Sequence, residues 1–114
     1  MPNPSMPNPS LGLIMILRNE AGNLSRSLAP VASCFNEVVV ADTGSTDHTA
    51  NICNELGAKV YDFAWRDDFS AARNYTIAKA TADWLFWLDG DNAISPEMVN
   101  GLRSKLPQEP AVLW

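Results

Sequence analysis

The amino-acid sequence predicts an α/β protein whose Rossmann-like, mostly parallel sheet is flanked by helices. Three unbroken apolar runs carry this prediction, at residues 13–17, 38–41 and 84–88, and a helical pattern follows each of them. A strand is apolar on both sides when helices cover both faces of its sheet. Strands that alternate with helices form parallel sheets joined by right-handed crossovers. A fourth strand is expected at residues 59–62, where a short alternating pattern is typical of a sheet edge.

Length and composition limit the chain to one small globular domain. It has 114 residues, of which 46% are hydrophobic and 18% charged. A folded chain of this size buries about two-thirds of its unfolded surface, enough for one core. The formal net charge of −5 argues against nucleic acid or anionic lipid as a general partner, because both repel an acidic surface. An acidic protein can still bind an anionic substrate when a cation lies between them.

The two cysteines, Cys34 and Cys53, fit no metal-ligand spacing. Cys53 lies in a helical pattern, where we expect a buried free thiol. No apolar run is long enough to span a membrane, and the N-terminus has no basic region followed by an apolar one, as a secretory signal would. We therefore expect a reducing, cytoplasmic setting.

Residues 1–10 repeat the pentapeptide Met-Pro-Asn-Pro-Ser twice. Four prolines without apolar periodicity predict a disordered or extended arm. We expect residues 11–114 to form the folded domain. Its first helix begins after Asn23 and runs to about residue 33, although Pro30 can shorten it.

The other predicted helices carry clear boundary signals. The second is capped by Thr46 or Asp47 and stops at Gly57. The third spans about residues 70–80. The fourth begins at residues 95–97, where a serine cap precedes a proline and an acid. Its expected apolar stripe consists of Met98, Leu102 and Leu106.

Polar clusters follow the three apolar strands, at residues 18–20, 42–47 and 89–91. Ligands of parallel sheets bind beyond the carboxyl ends of the strands, where the strand order reverses. We therefore expect the three clusters to converge at one edge of the sheet. This convergence indicates a binding site more specifically than any one of the clusters does.

Asp89 and Asp91 are candidate ligands of a divalent metal, most plausibly Mg²⁺ or Mn²⁺, with substrate phosphates completing the coordination. We expect Gly90 to let the backbone turn tightly between them. The alternative is an Asp-Gly turn whose side chains hydrogen-bond the local backbone. Because the two aspartates come directly after a predicted buried strand, we favour the metal site over the simple turn.

The loop at residues 42–47 combines hydroxyl groups, a glycine and two acids. Asp42 can accept hydrogen bonds from a base or a ribose, whereas Asp47 is better explained as a helix cap. On the third helix, Arg73 can bind a phosphate and Asn74 can bind a polar group on a base. An ordinary solvated or ion-paired arginine is the alternative for Arg73.

Four ordered motifs resemble the amino-terminal half of family 2 glycosyltransferases with the GT-A fold. They are Ile-Leu-Arg-Asn-Glu at residues 16–20, Asp-Thr-Gly-Ser-Thr-Asp at 42–47, Ala-Ala-Arg-Asn at 71–74 and Trp-Leu-Asp-Gly-Asp at 87–91. The resemblance covers nearly everything between residues 11 and 106. It implies inverting transfer of a sugar from a nucleotide-diphosphate sugar donor to an acceptor hydroxyl.

The resemblance also implies roles for individual residues. Asn19 and Glu20 would contact the nucleoside, and Asp42 would contact the base or ribose. Arg73 and Asn74 would line the nucleotide pocket. Asp89 would take part in nucleotide binding, and together with Asp91 it would hold the metal that bridges the diphosphate.

The pattern departs from the family in length. Family members continue with further strands, an acceptor-binding region and a catalytic base, so no catalytic residue is assigned here. The strand at residues 84–88 is central in the family and would become an exposed edge in a truncated GT-A fold. We expect residues 111–114, or a second copy of the chain in a homo-oligomer, to cover it.

Two other function classes fit parts of the pattern. One is a non-catalytic α/β module that binds a nucleotide or a partner and retains only the donor half of the fold. The other is a receiver-like domain, which also gathers acids around Mg²⁺ at strand ends. A receiver needs a lysine after a late strand, and the sequence has none at that position.

Overall fold

The computed structural model describes residues 10–64, 68–105 and 111–113. The strands within these residues are β1 (Leu11–Leu17), β2 (Glu37–Asp42), β3 (Lys59–Asp62), β4 (Trp84–Trp87) and β5 (Ala111–Leu113). The α-helices are α1 (Leu24–Ser27), α2 (Thr49–Glu55), α3 (Phe69–Lys79) and α4 (Pro96–Arg103), and a 3-10 helix spans Ala32–Cys34.

The described strands form one sheet in the order β3-β2-β1-β4-β5, and each pairing is parallel. β1 lies in the centre, where Ile14 is in register with Val39 of β2 and Trp87 of β4. The predicted parallel α/β architecture is therefore confirmed. The edge position expected for residues 59–62 is also confirmed, because β3 pairs only with β2 among the described strands.

Helices cover both faces of the sheet, which explains why β1 is apolar along its whole length. One face carries Leu13 and Met15 of β1 and packs against α1, α2 and α4. The opposite face carries Ile14 and packs against α3 through Ile77. The two faces divide the side chains of β1 by alternation, as the pleat of a strand requires.

β5 covers the strand that was expected to become an exposed edge. Trp84 is in register with Ala111, and Phe86 is in register with Leu113. The expectation that the segment after α4 would cover this edge is confirmed for residues 111–113, whereas Trp114 lies outside the described residues. Since β5 occupies this position, the edge of β4 gives no reason to invoke a second copy of the chain.

The predicted first helix was wrong in length. α1 ends at Ser27, and turns connect it to the 3-10 helix before β2. Pro30 lies in this connection; it has no N–H to donate, and its ring excludes a continuous helix through residue 33. Asn23 is the N-cap residue as predicted, but its side chain makes no capping hydrogen bond.

The apolar stripe of α4 was predicted correctly at Leu102 and wrongly at Met98, whose place in the core is taken by Val99. Met98 is 62% exposed, whereas Val99 is 1% exposed and packs in the core with Leu102. Leu106 lies outside the described residues. The predicted start of the helix is confirmed, because the Ser95 hydroxyl accepts a hydrogen bond from the N–H of Met98.

Residues 1–9 of the predicted arm lie outside the described residues. Ser10, the last residue of that segment, makes a reciprocal pair of hydrogen bonds with Asp83. Its N–H donates to the Asp83 carboxylate at 3.0 Å, and its hydroxyl accepts from the Asp83 N–H at 2.7 Å. Among the helices that the structure describes, none combines the length and apolar character needed to cross a bilayer.

Candidate functional site

The strand order reverses between β1 and β4, and residues from both strand ends meet there. β2 and β3 lie on one side of β1, while β4 and β5 lie on the other. A Cβ added to Gly90 would lie 2.7 Å from Glu20 Oε2 and 2.8 Å from Leu17 Cδ2. The loop after β1 therefore touches the loop after β4 at the switch point, where ligands of parallel sheets bind.

Gly90 lies in a tight turn and in close contact with the loop after β1. The expected turn is present, because the N–H of Asn92 donates to the carbonyl of Asp89 at 3.1 Å. It does not use a positive φ, which occurs at Gly44 and Gly57 among the described glycines. A side chain at residue 90 would have to displace the ends of the Glu20 and Leu17 side chains, which occupy the space that its Cβ would fill.

Asn19 joins the loop after β1 to the loop after β2. Its N–H donates to the Ser45 hydroxyl at 2.9 Å. Its side-chain oxygen accepts from the N–H of Thr46 at 2.7 Å and from the Thr46 hydroxyl at 3.3 Å. Asn19 adopts a φ of 54°, in the left-handed region that asparagine tolerates better than most residues.

Two more hydrogen bonds tie the same loops together. The N–H of Glu20 donates to the Thr49 hydroxyl at 2.9 Å, and the N–H of Ala21 donates to the Asp47 carboxylate at 3.2 Å. We call the hydrogen bonds between residues 19–21 and residues 45–49 the loop clamp. It holds the carboxyl ends of β1 and β2 in one fixed arrangement.

Asp47 is the anionic partner within the loop clamp. Its carboxylate accepts from the N–H of Thr49 at 2.9 Å and also from the Thr49 hydroxyl. The Thr49 side-chain hydrogen bond, with help from backbone N–H groups, lowers the pKa of the Asp47 carboxyl. The N-cap residue of α2 is His48, one residue after the predicted cap, but the Asp47 carboxylate satisfies the first N–H of the helix.

Glu20 is held in place from two directions. Its N–H is bound by Thr49, and its Oε1 accepts from the side-chain amide of Asn23 at 2.9 Å. Oε2 is the atom that faces Gly90. The side chain of Asn23 therefore orients a site carboxylate instead of capping α1.

Asp42 lies at the end of β2, beneath the loop that follows it. Its carboxylate accepts from the N–H of Ser45 at 3.0 Å, and the residue is 6% exposed. Burial raises the pKa of the nearby Cys53 thiol to about 11, and the charge of Asp42 adds to this effect. Cys34 and Cys53 are both free, and Cys53 is buried as expected.

Asp89 and Asp91 are both exposed beyond the end of β4. Asp89 accepts from the indole N–H of Trp87 at 3.1 Å and from the side-chain amide of Asn92 at 3.5 Å. Both partners are side chains within three residues of Asp89. Two exposed carboxylates supply the hard oxygen donors that Mg²⁺ and Mn²⁺ prefer.

The donor set fits a metal that shares its coordination with a ligand. Within residues 10–64, 68–105 and 111–113, no group of three or more His, Cys, Asp or Glu side chains is arranged to hold a metal ion. Mg²⁺ typically takes one or two carboxylates and completes its shell with water and substrate phosphates. Asp89 and Asp91 match that pattern.

α3 carries Arg73 and Asn74 on the opposite face of the sheet from α1 and α2. Ala72 packs with Ala41 and Phe63 near the carboxyl end of β2. Asp68 begins the helix, where its carboxylate accepts from the N–H of Ala71 at 3.1 Å. Arg73 is half-buried, and the next residue, Asn74, is exposed.

The structure thus joins Asn19, Glu20 and Asp42 in one hydrogen-bonded unit and sets Glu20 against the turn at residues 89–91. Arg73 and Asn74 lie near the same sheet edge but on another element. Sequence reasoning missed Thr49 and Trp87, which orient the site carboxylates. The cluster of hydroxyls beside Asp47 was the available signal for Thr49; no comparable signal pointed to Trp87.

Comparison with known proteins identifies the family. Residues 13–113 match the family described as Glycosyl transferase family 2. A TPR repeat-containing protein of Synechococcus elongatus is 48% identical over 104 residues, which covers 91% of this chain and 26% of that protein. The SPbeta prophage-derived glycosyltransferase SunS of Bacillus subtilis is 36% identical over 91 residues, which covers 78% of this chain and 22% of that protein. The chain therefore spans about a quarter of the length of these curated relatives.

Solved structures agree on the fold. TarS 1–349 of S. aureus in complex with UDP superposes with a TM-score of 0.69 at 25% identity, covering 82% of this chain and 30% of that chain. Glucosyl-3-phosphoglycerate synthase of Mycobacterium tuberculosis, in complex with Mn²⁺, UDP and glucosyl-3-phosphoglycerate, superposes with a TM-score of 0.63 at 20% identity, covering 81% and 37%. The chain belongs to glycosyl transferase family 2 and has the amino-terminal half of the GT-A fold.

Proposed function

We propose that this chain forms the part of an inverting glycosyltransferase that binds a nucleotide-diphosphate sugar through a divalent metal. The observation that carries the proposal is the contact of Glu20 with Gly90 at the switch point. It sets the exposed pair Asp89 and Asp91 beside the clamped loops that carry Asp42. Membership of the family supports the reaction class, and the UDP complex of TarS supports a nucleoside diphosphate as the ligand.

Asp89 and Asp91 would hold Mn²⁺ or Mg²⁺ between the protein and the diphosphate. Such a cation neutralises the negative charge that develops on a nucleoside diphosphate leaving group. The exposure of both carboxylates leaves room for the phosphate oxygens that complete the shell. The cation also reconciles an acidic protein with an anionic donor.

The nucleoside would lie against the loops after β1 and β2. Glu20 and Asp42 supply carboxylate oxygens that can accept from ribose hydroxyls or base N–H groups. The motif match adds Asp89 to this pocket, together with Arg73 and Asn74 on α3. It also implies Asn19, whose side-chain oxygen already accepts two hydrogen bonds from Thr46. Arg73 would pair with a phosphate, since a guanidinium binds phosphate oxygens bidentately.

Donor binding is the step assigned to these residues. The resemblance places the acceptor-binding region and the catalytic base of family members beyond the strands described here. A nucleotide-binding module without transfer activity is the second candidate, because the four motifs found here all belong to the donor half of the fold. We further propose a cytoplasmic setting, on the ground that both cysteines are free thiols.

The test is calorimetric titration of UDP, GDP and ADP in Mn²⁺ and in EDTA. We expect one nucleotide to bind at least ten-fold more tightly with the metal. Asp89→Asn and Asp91→Asn should each remove the metal dependence. Glu55→Gln, which removes an exposed acid at the end of α2, is the matched control and should bind like the parent chain.

Failure of all three nucleotides to bind, with or without Mn²⁺, would exclude the proposal. If binding is found, hydrolysis or transfer of the sugar from the corresponding donor separates the two candidates. Turnover supports the transferase, and metal-dependent binding without turnover supports the module.

A further inference from the structure

We propose that Asn19 is a positioning residue, which acts through the loop clamp to hold Glu20 against Gly90 and thereby fixes the turn that carries Asp89 and Asp91. This inference rests on the proposed function, because it assigns the element that pre-forms the same site. It differs from the role that the motif match implies, in which Asn19 contacts the nucleoside directly.

The backbone of Asn19 is the first reason. It is the one non-glycine residue with a positive φ among the residues that the structure describes. Such conformations persist where the surrounding structure enforces them, and they concentrate at functional sites. Here the left-handed residue directly precedes Glu20, so it sets the direction in which the chain leaves β1.

The hydrogen bonds of Asn19 are the second reason. Its side-chain oxygen has two lone pairs, and the N–H and hydroxyl of Thr46 donate to that oxygen. Its own N–H donates to Ser45. The oxygen that would accept a hydrogen bond from a nucleoside is therefore already engaged within the protein.

The position of Glu20 is the third reason. The N–H of Glu20 is bound by Thr49 in the loop after β2, while its Oε2 faces Gly90 in the loop after β4. Residues 19 and 20 thus connect all three loops at the switch point. Loss of the Asn19 bonds would leave Glu20 held by Thr49 and Asn23 alone and would loosen one wall of the turn at residues 89–91.

Three variants separate the contribution of the Asn19 backbone conformation from that of its side chain. Asn19→Gly keeps the left-handed conformation and removes the acceptor oxygen. Asn19→Asp keeps an acceptor oxygen at the same place. Ser45→Ala weakens the loop clamp from the opposite side and is the milder change should Asn19→Gly fold poorly.

Amide hydrogen exchange measures the loop clamp without any ligand. In Asn19→Gly we expect the N–H of Thr46 and the amides of residues 89–92 to exchange at least five-fold faster. Asn19→Asp should stay close to the parent chain at both places. The amide of Val39 in β2 is the internal control for the fold and should not change. Unchanged exchange at residues 89–92 in both Asn19→Gly and Ser45→Ala would overturn the proposal.

A double-mutant cycle distinguishes positioning from direct contact. With UDP and Mn²⁺, Asn19→Gly and Ser45→Ala should each weaken affinity several-fold, and the double variant should lose less than two-fold beyond Asn19→Gly alone. Fully additive losses would show a direct contact and overturn the proposal. If the parent chain binds no nucleotide, the proposed function fails, and the exchange rates at residues 89–92 alone decide the positioning role.

Discussion

The loop clamp and the turn at residues 89–91 lie at the same edge of the sheet but are built in opposite ways. The clamp is anchored by Thr49, which is fully buried, and its hydrogen bonds cross between two loops. The turn exposes Asp89 and Asp91, and Asp89 accepts hydrogen bonds from its own segment, from Trp87 and Asn92.

This difference suits two kinds of ligand. A nucleoside is recognised by hydrogen bonds of fixed geometry, so acceptors that are held in place before binding lose little freedom on binding. Two neighbouring carboxylates repel each other until a cation lies between them, so they remain hydrated and exposed. Glu20 belongs to the clamp and touches the turn, and it therefore couples the two regions.

The largest effect is expected where the two regions touch. Gly90→Ala should lower the free energy of unfolding by about 2 kcal/mol and weaken metal-dependent UDP binding at least ten-fold. The added methyl group meets the ends of the Glu20 and Leu17 side chains, so the chain can still fold once Glu20 moves away. Urea unfolding and calorimetry measure the two effects.

Gly101→Ala is the matched control for this change. Its Cβ would meet no atom within 4 Å, and an alanine within α4 should raise the free energy of unfolding by about 0.5–1 kcal/mol. Equal behaviour of the two alanine variants would show that the contact between Glu20 and Gly90 does not matter.

A second change weakens the clamp and leaves the turn intact. Thr49→Val preserves the shape of the side chain but removes the hydroxyl that bridges Glu20 and Asp47, and we expect a loss of about 1.5 kcal/mol in urea unfolding. Thr76→Val is the control, since Thr76 is equally buried but its hydroxyl bonds only the carbonyl of Arg73 within α3. An equal loss of unfolding free energy in Thr76→Val would mean that burial of the hydroxyl, rather than its bridge between Glu20 and Asp47, determines the effect.

A third change addresses the turn alone. Trp87→Phe removes the indole N–H that orients Asp89, and UDP affinity in Mn²⁺ should fall about five-fold, in keeping with about 1 kcal/mol for one hydrogen bond to an exposed carboxylate. In EDTA the affinity should not change. Trp84→Phe, at the opposite end of β4, should alter stability without altering the metal-dependent part of binding.

The smallest effect concerns the pH dependence of the clamp. The lowered pKa of Asp47 means that its carboxylate stabilises the fold above the unfolded value near 3.8, and that this contribution is lost as pH falls through the folded value. Asp47→Asn should therefore be less stable than the parent chain at pH 6, with a difference that shrinks toward pH 3. Urea midpoints at the two pH values provide the measurement; a difference that does not change with pH would contradict the assignment.

Much of the fold was predictable because burial leaves a local trace in sequence. β1 and β4 read as continuous apolar runs since helices cover both faces of the sheet. Ser95 and Gly57 marked helix boundaries correctly, because caps depend on residues close in the chain. The stripe of α4 was wrong at Met98, because which residue of an amphipathic turn faces inward depends on the partner surface. The length of α1 was overestimated although Pro30 was a local signal against it.

The location of the candidate site was predictable from the sequence, but the hydrogen bonds within it were not. Parallel strands bring their carboxyl ends together, so polar residues after each apolar run had to share one edge. The bonds of Asn19 to Ser45 and Thr46 join residues 26 and 27 positions apart, and no local pattern specifies such pairs. For the same reason, the sequence did not reveal that Glu20 and Leu17 lie against Gly90.

The sequence by itself determined the parallel α/β class, the order of the polar clusters and the family, because these depend on hydrophobic periodicity and short motifs. Only the tertiary structure showed that the amide oxygen of Asn19 is hydrogen-bonded within the protein. It also showed that the Glu20 side chain occupies the space beside Gly90. It also decided that β5 covers β4. Contacts between residues distant in the chain arise from the packing of whole elements, which a local sequence pattern does not encode.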